Sequence, residues 1–441
     1  MIERYVAQFD EFVRDGARSA PSQVNALRTR AMESFASLGF PTTKNEDWHF
    51  TSVSPITEHE FTFVAAETGD VQESDITQFA FADDWHTAVF VNGRFAQELS
   101  SLDDLERGVR FVSLADAWST APELAQRVGT IVSAPEQHAF TQLNTAFMPD
   151  GAIVHVGKDA RVLHPIHLVF VTDANAAKTV MYPRNLIVLE RGAKATVVES
   201  YVSLSDATYF TNAVTEVSVG DGATLEHIKI QRESRRAFHV GTIEADQARD
   251  SHYISFSFST GGELSRTNIY SNLDGEGCGS TLNGLYMLDG EQHGDHQTRI
   301  EHTQPNCFSR EVYKGVLDGR SHGVFNGKVY VHPIAQKTDG KQTNNTLLLS
   351  KDARVDTKPQ LEIFADDVKC THGATVGRLD EQALFYMKSR GVNAETARRL
   401  LVYAFAADVL ETIEQPELRE ALERVTLERF VKTEELSVVS G

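Results

Sequence analysis

The chain has 441 residues, of which 41% are hydrophobic, 9% aromatic and 24% charged, the balance of a folded protein in water rather than of a disordered or membrane-embedded chain. Its 62 acidic against 42 basic residues leave a formal charge of −20, which argues against a nucleic-acid partner because phosphate contacts need clustered Lys and Arg. The length allows two or three domains, or one elongated solenoid with appended pieces.

The segment from Met1 to Glu11 carries acids and lacks the uninterrupted apolar stretch of a secretory signal, so a cytoplasmic protein is expected. Ile2, Tyr5, Val6, Phe9, Phe12 and Val13 repeat at the spacing of an amphipathic helix over residues 2 to 14. A second helix is predicted from Pro21 to Leu38, with proline in its first turn and Gly39 at its C-terminal cap. After the polar stretch from Pro41 to Ser54, the Asn92-Gly93 pair between apolar residues predicts a hairpin, because both positions accept positive φ.

Between about residues 150 and 375 a phrase recurs: apolar alternation, a Gly or Asp turn, then Ala. Its copies are Val156 to Ala160, Leu189 to Ala193, Val219 to Ala223 and Leu349 to Ala353; a second phrase, Leu-Asp-Gly, starts at Leu273, Leu288 and Leu317. The gaps follow no single period. Short alternating strands between such turns, with almost no helical periodicity, predict a β-solenoid in which the phrase marks a corner, in preference to a β-sandwich. After Leu379 the period turns helical, with Asp380 and Asn393 as N-caps, Gly391 closing a first short helix, a helix over about 394 to 413, and Pro416 opening a third. Docking on the end of the solenoid as a cap is expected, ahead of partner binding. The expected organisation is an N-terminal mostly helical region with a short hairpin over 1–125, a β-helix core over 126–378 and a C-terminal helical region over 379–441. The longest apolar run, Leu400 to Ala407, is far short of the roughly 20 residues that span a bilayer, so no membrane segment is expected.

Nucleophile-elbow, Walker and HExxH motifs are absent, as is a dinucleotide fingerprint, so no catalytic residue is assigned. Cys278, Cys307 and Cys370 stand far apart without a CxxC pair, which suggests neither a disulfide framework nor a structural zinc site. His293, Asp295, His296, Glu301, His302 and Cys307 form the densest metal-capable group. Strand alternation sends His293 and His296 to opposite faces, so a polar ladder is the preferred reading. Cys370 and His372, two apart, face the same side of a strand, and thiolate with imidazole suits iron. Lys369 would favour the thiolate if it lay close. By spacing alone a buried small thiol beside a hydrogen-bonded histidine is the commoner arrangement.

The stretch from Thr357 to Gly377, with Leu379 to Glu381, Leu384 to Tyr386 and Ser389 to Gly391, closely resembles the signature of the SufD branch of the SufB/SufD family. Lys314 to Leu317 and Val324 to Lys328 resemble a block shared by SufB and SufD, and Asn45 to Thr51 resembles the family's acidic-Trp-aromatic-Thr element, for which anchoring of a loop on the solenoid is the preferred role. Where SufB proteins carry a key cysteine, this chain reads Gln342 to Leu347 without one. The resemblance implies a right-handed parallel β-helix flanked by helical ends, and a non-catalytic scaffold of the SufBCD complex for iron-sulfur cluster assembly. It implies SufB as a heterodimer partner, the ATPase SufC bound through the C-terminal helical region, and leaves open a homodimer of the isolated chain. Iron or a cluster would be held transiently at the subunit interface, with His372 the stronger candidate ligand and Cys370 the second, and no tightly bound cofactor in the isolated chain. The alternatives weighed are a SufB-like scaffold and a carbohydrate-active enzyme on a β-helix, which would use paired carboxylates in a groove.

Overall fold

In the computed structural model, which describes residues 2–15, 21–63, 71–132 and 138–429, the alternating segments wind into a parallel β-helix of about eight coils. Each coil gives one strand to each of two facing sheets, from Ala152–Val156 and Ile166–Thr172 in the first to Arg354–Ile363 and Lys369–Gly377 in the last. In the first sheet Phe210 pairs with Phe238, Phe238 with Leu264, Leu264 with His293, His293 with His322 and His322 with Arg354, so successive coils are 28, 26, 29, 29 and 32 residues long. The strands keep register while the turns vary in length, which is why the sequence shows no fixed period.

The corner from the first sheet to the second is set by one left-handed residue per coil. Asp159, Gly192, Gly222, Asp250, Gly277, Asn306 and Lys337 hold φ between 55° and 78°, a region open to glycine and tolerated by Asp and Asn. Their N–H groups donate to carbonyls one coil on, Asp159 to Arg191 at 2.9 Å and Gly192 to Asp221 at 2.9 Å, so the turns satisfy one another as a stack. The next residue in each coil is small and buried: Ala193, Ala223, Ser251, Cys278, Cys307, Thr338. Three copies of the first phrase lie at this corner. The copy from Leu349 to Ala353 lies at the opposite one, between Asp339–Leu348 and Arg354–Ile363. Leu-Asp-Gly likewise serves both corners, stacked at Leu288 and Leu317 on the second but at Leu273 on the first.

Inward side chains such as Val197, Leu225, Ile243, Ile269, Leu282, Ile300 and Val329 fill the lumen. The outer faces are covered from opposite sides. Helices Ile2–Asp15, Ser22–Leu38 and Ala139–Phe147 lay Tyr5, Phe9, Phe35, Phe140 and Phe147 over the first sheet's Tyr182, Phe210 and Phe238. The hairpin forms as predicted, with Asn92 at φ 50° and Gly93 at φ 80°, and its strand His86–Val91 adds to the second sheet alongside Ile166–Thr172.

The C-terminal helices Glu381–Ser389, Ala394–Leu410 and Pro416–Glu428 start on the predicted caps, Asp380 accepting from Gln382 N and Asn393 from Thr396 N. Their docking differs from the expected end cap. Val402, Ala406, Val409, Leu410 and Ile413 pack on Ile228, Phe256, Phe258, Leu285 and Val316, the outer face of the second sheet. That face is apolar over several successive coils, Val198, Ile228, Phe256, Leu285 and Val316 lining up to receive the helices, so burial favours the flank. Among the described residues no helix caps the last coil. Residues 430–441 of the expected C-terminal region lie outside the described residues.

Candidate functional site at the open end

Among the described residues the strand Lys369–Gly377 has a partner on one edge only, Asp339–Leu348, and every residue in it is exposed except Cys370, which is half-buried. Alternation turns Cys370 and His372 inward, about 6.6 Å apart along the strand. In the ladder Ser280, Ser309, Gly340 and Cys370 form one inward column, and Leu282, Glu311, Gln342 and His372 the next. Gly340 leaves room above the thiol: a methyl built on it would lie 3.4 Å from Cys370 Sγ. His372 forms no hydrogen bond or ion pair among the described residues and stands at the mouth of the lumen.

Burial pushes the Cys370 thiol above its ordinary value, and the nearby Asp339 carboxylate adds to this against a hydrogen bond from the Gly340 backbone. Lys369 points to the opposite face and does not favour the thiolate, contrary to the expectation from its adjacency. Burial thus disfavours the thiolate form of Cys370.

Behind His372 the lumen is polar, which the sequence reading missed. Gln342 Nε2 donates to Glu311 Oε2 at 2.6 Å, and both side chains are fully buried. Burial raises the Glu311 carboxyl to about 7, against the smaller opposing effects of Thr298 and Gln342. Among the described residues, Gln342 Oε1 and both ring nitrogens of His296 have no hydrogen-bond partner. His296 lies against Tyr286 at 4.6 Å between ring centres, and burial lowers it to about 4, so it is neutral. The available signal was alternation itself, since Glu311, Gln342 and His372 fall on inward positions once the strands are phased.

The residues between His293 and Cys307 do not converge, in keeping with the preferred polar-ladder reading. His293 faces outward, 2.9 Å from Thr51 Oγ1 and edge-on to His322; His296 faces the lumen; His302 Nε2 meets Ser309 Oγ at 3.0 Å; Cys307 sits in the corner column. Among the described residues no group of three or more His, Cys, Asp or Glu is arranged to hold a metal ion. The Asn45 to Thr51 loop is an anchor. The Arg266 guanidinium lies 3.7 Å from the Trp48 ring centre and donates to Asp47 O at 2.7 Å, while Thr51 donates to Asp295 at 2.6 Å.

Apart from Leu38 and Leu163, the exposed large apolar side chains among the described residues fall in two places. Ile334, Ile363, Phe364 and Val376 surround the open end, and Phe385, Tyr386 and Leu400 lie on the C-terminal helices. Both patches leave apolar surface in water where an ordinary monomer scatters it.

Residues 170–405 match the family model described as SUF system FeS cluster assembly, SufBD core domain, and residues 1–168 match the SufBD protein N-terminal region. The chain belongs to the SufBD family. It is 34% identical to the iron-sulfur cluster assembly protein SufD of Escherichia coli K12 over 93% of this chain and 92% of that one. A SufBD family iron-sulfur cluster assembly protein of Synechocystis is also 34% identical, over 88% of this chain and 86% of its own. The chloroplastic protein ABCI7 of Arabidopsis thaliana is 30% identical over 94% and 89%. The SufBD core model thus begins within the first coil of the solenoid and ends at residue 405 inside the long C-terminal helix, so the open end falls inside it while the helix Pro416–Glu428 lies beyond it.

Proposed function

We propose that this SufBD chain is a non-catalytic scaffold of cytoplasmic iron-sulfur cluster assembly that pairs with a SufB-type paralogue through its open end and binds the ATPase SufC through its C-terminal helices. Iron or a nascent cluster is the cargo, held transiently between the subunits, and His372 and Cys370 are this chain's ligands to it. The observation that carries the reading is the thiol and imidazole on the inward face of a terminal strand paired on one edge only among the described residues, with apolar side chains around its mouth. An unpaired edge of this kind is a ready template for a second chain. Ligands shared across a subunit interface change geometry when the subunits rotate, which suits a cargo that must be built and then released. The raised Cys370 thiol fits transient holding, since the metal must displace its proton. Phe385 and Tyr386, exposed on a helix that buries none of its residues against the solenoid, are this chain's apolar contact for the ATPase.

Light scattering of the chain co-expressed with candidate SufB and SufC proteins tests the reading. A stable assembly containing one copy of this chain is expected. Failure to associate with either protein would overturn the scaffold role, and a homodimer that excludes the paralogue would redirect the open end to self-pairing.

A further inference from the structure

The corner column stacks two thiols of successive coils on one another's positions. Cys278 and Cys307 follow the left-handed residues Gly277 and Asn306, so each takes the small buried position that Ala193, Ala223 and Ser251 fill in earlier coils. Phe308 N donates to Cys278 O at 3.0 Å, which fixes the two coils in register at this point. Both side chains are buried, with 0% and 1% exposure, and both thiols are free. They approach one acceptor: Gly275 O lies 3.0 Å from Cys278 Sγ and 3.3 Å from Cys307 Sγ. Directly stacked residues of neighbouring parallel strands lie ~4.8 Å apart, inside the Cα separations of about 4.4–6.8 Å that disulfides span.

We propose that Cys278 and Cys307 form a reversible intrachain disulfide when the protein meets a small peroxide, making this corner a redox-modification site. Each step balances. The Cys278 thiolate attacks one peroxide oxygen, an S–O bond forms as the O–O bond breaks, and the departing hydroxide takes a proton to become water. Cys307 sulfur then attacks the sulfenic sulfur, the S–S bond forms, the S–O bond breaks, and the Cys307 proton leaves with the second water. Two thiols supply two electrons to one peroxide. Cys278 is the attacking residue: hydrogen bonding from Cys307, with a further contribution from the Ser251 hydroxyl, holds its thiol below the ordinary value, while the same pairing pushes Cys307 up. The Gly275 carbonyl, in the short Asp274–Gly277 turn, lies directly on the two sulfurs and covers them, so oxidation requires this turn to open. Cys370, two coils beyond Cys307 and facing Gly340, has no thiol neighbour in its column and serves as the internal control.

The test is peroxide treatment of the purified full chain, followed by digestion without reductant and mass spectrometry. The expected product is one cross-linked peptide pair joining Cys278 to Cys307, lighter by two hydrogens, reversed by dithiothreitol, with Cys370 still open to alkylation. Cys307→Ala keeps the residue type that the column already carries in two coils, so circular dichroism should be unchanged. This variant should lose the cross-link and leave Cys278 as a sulfenic acid that dimedone labels. Recovery of both thiols fully alkylatable after unfolding of the treated wild type, or cross-links that run to Cys370 instead, would overturn the proposal.

Discussion

Leu410→Ala tests whether the C-terminal helices are held on the flank of the solenoid by apolar burial. Leu410 is fully buried in the cluster that joins Val402, Val409 and Ile413 to Ile228, Phe256 and Leu285. Truncating a buried leucine to alanine costs about 2–5 kcal/mol, the range reflecting how far the cavity collapses. The helices are also tied down by Lys314 Nζ donating to Phe405 O at 2.6 Å, Asn283 to Thr412 at 3.1 Å and Arg398 to Leu349 O at 2.8 Å, so the variant still docks. Because coils of a solenoid contact mainly their neighbours, the cost falls on local opening of the helices rather than on the whole molecule. At about 1.4 kcal/mol per tenfold, amides of residues 394–428 should exchange roughly 30-fold to 4,000-fold faster. Hydrogen exchange read by mass spectrometry should show no change in the strands of the opposite sheet, such as His322–Val331. Unchanged protection of the helices, or equal loss across both sheets, would refute the docking argument.

Phe385→Ser with Tyr386→Ser should alter the unfolding midpoint little, a shift within about 0.5 kcal/mol for exposed positions, while weakening ATPase binding; retained binding would move the contact elsewhere. Since Cys370 is raised by burial, its affinity for ferrous iron should climb as pH rises from about 7 to 9, with release of a proton, in anaerobic titrations of the assembled complex. A flat profile would remove it as a ligand. Glu311 binds its proton more tightly folded than unfolded, so the stability this contributes is present below its unfolded value and lost as pH rises through about 7. Glu311→Gln should therefore gain on the wild type by roughly 3 kcal/mol between about pH 4 and pH 8 in urea denaturation, and parallel profiles would show that the carboxyl is not held protonated.

Local chemistry made much of the fold legible. Asn92-Gly93 could turn only with both residues at positive φ, and the caps Asp380 and Asn393 stand where side-chain oxygens meet helix N–H groups. The corner phrase was readable because each coil needs one left-handed residue followed by a small one, yet the copy at Leu349 closes the other corner, which composition cannot distinguish. Helix Ala139–Phe147 escaped notice because all nine of its residues are buried, including Thr141, Gln142 and Asn144, so no amphipathic period is left to read. Asn144 is polar there because it donates to the carbonyls of Pro183 and Asn212 at 2.9 Å and 2.8 Å. At the site, i and i+2 spacing placed Cys370 and His372 on one face, but nothing local tells an inward Glu311 from an outward one. Phasing it requires knowing which strands it stacks between.

The central claim is that His372 at the open end holds iron cargo, and the most direct test is the iron and acid-labile sulfide content of the co-expressed complex purified without oxygen. His372→Ala should leave the mass of the assembly unchanged, since the imidazole has no partner among the described residues, and should strip it of iron and sulfide. An assembly of the same mass with the wild-type iron and sulfide content would contradict the account.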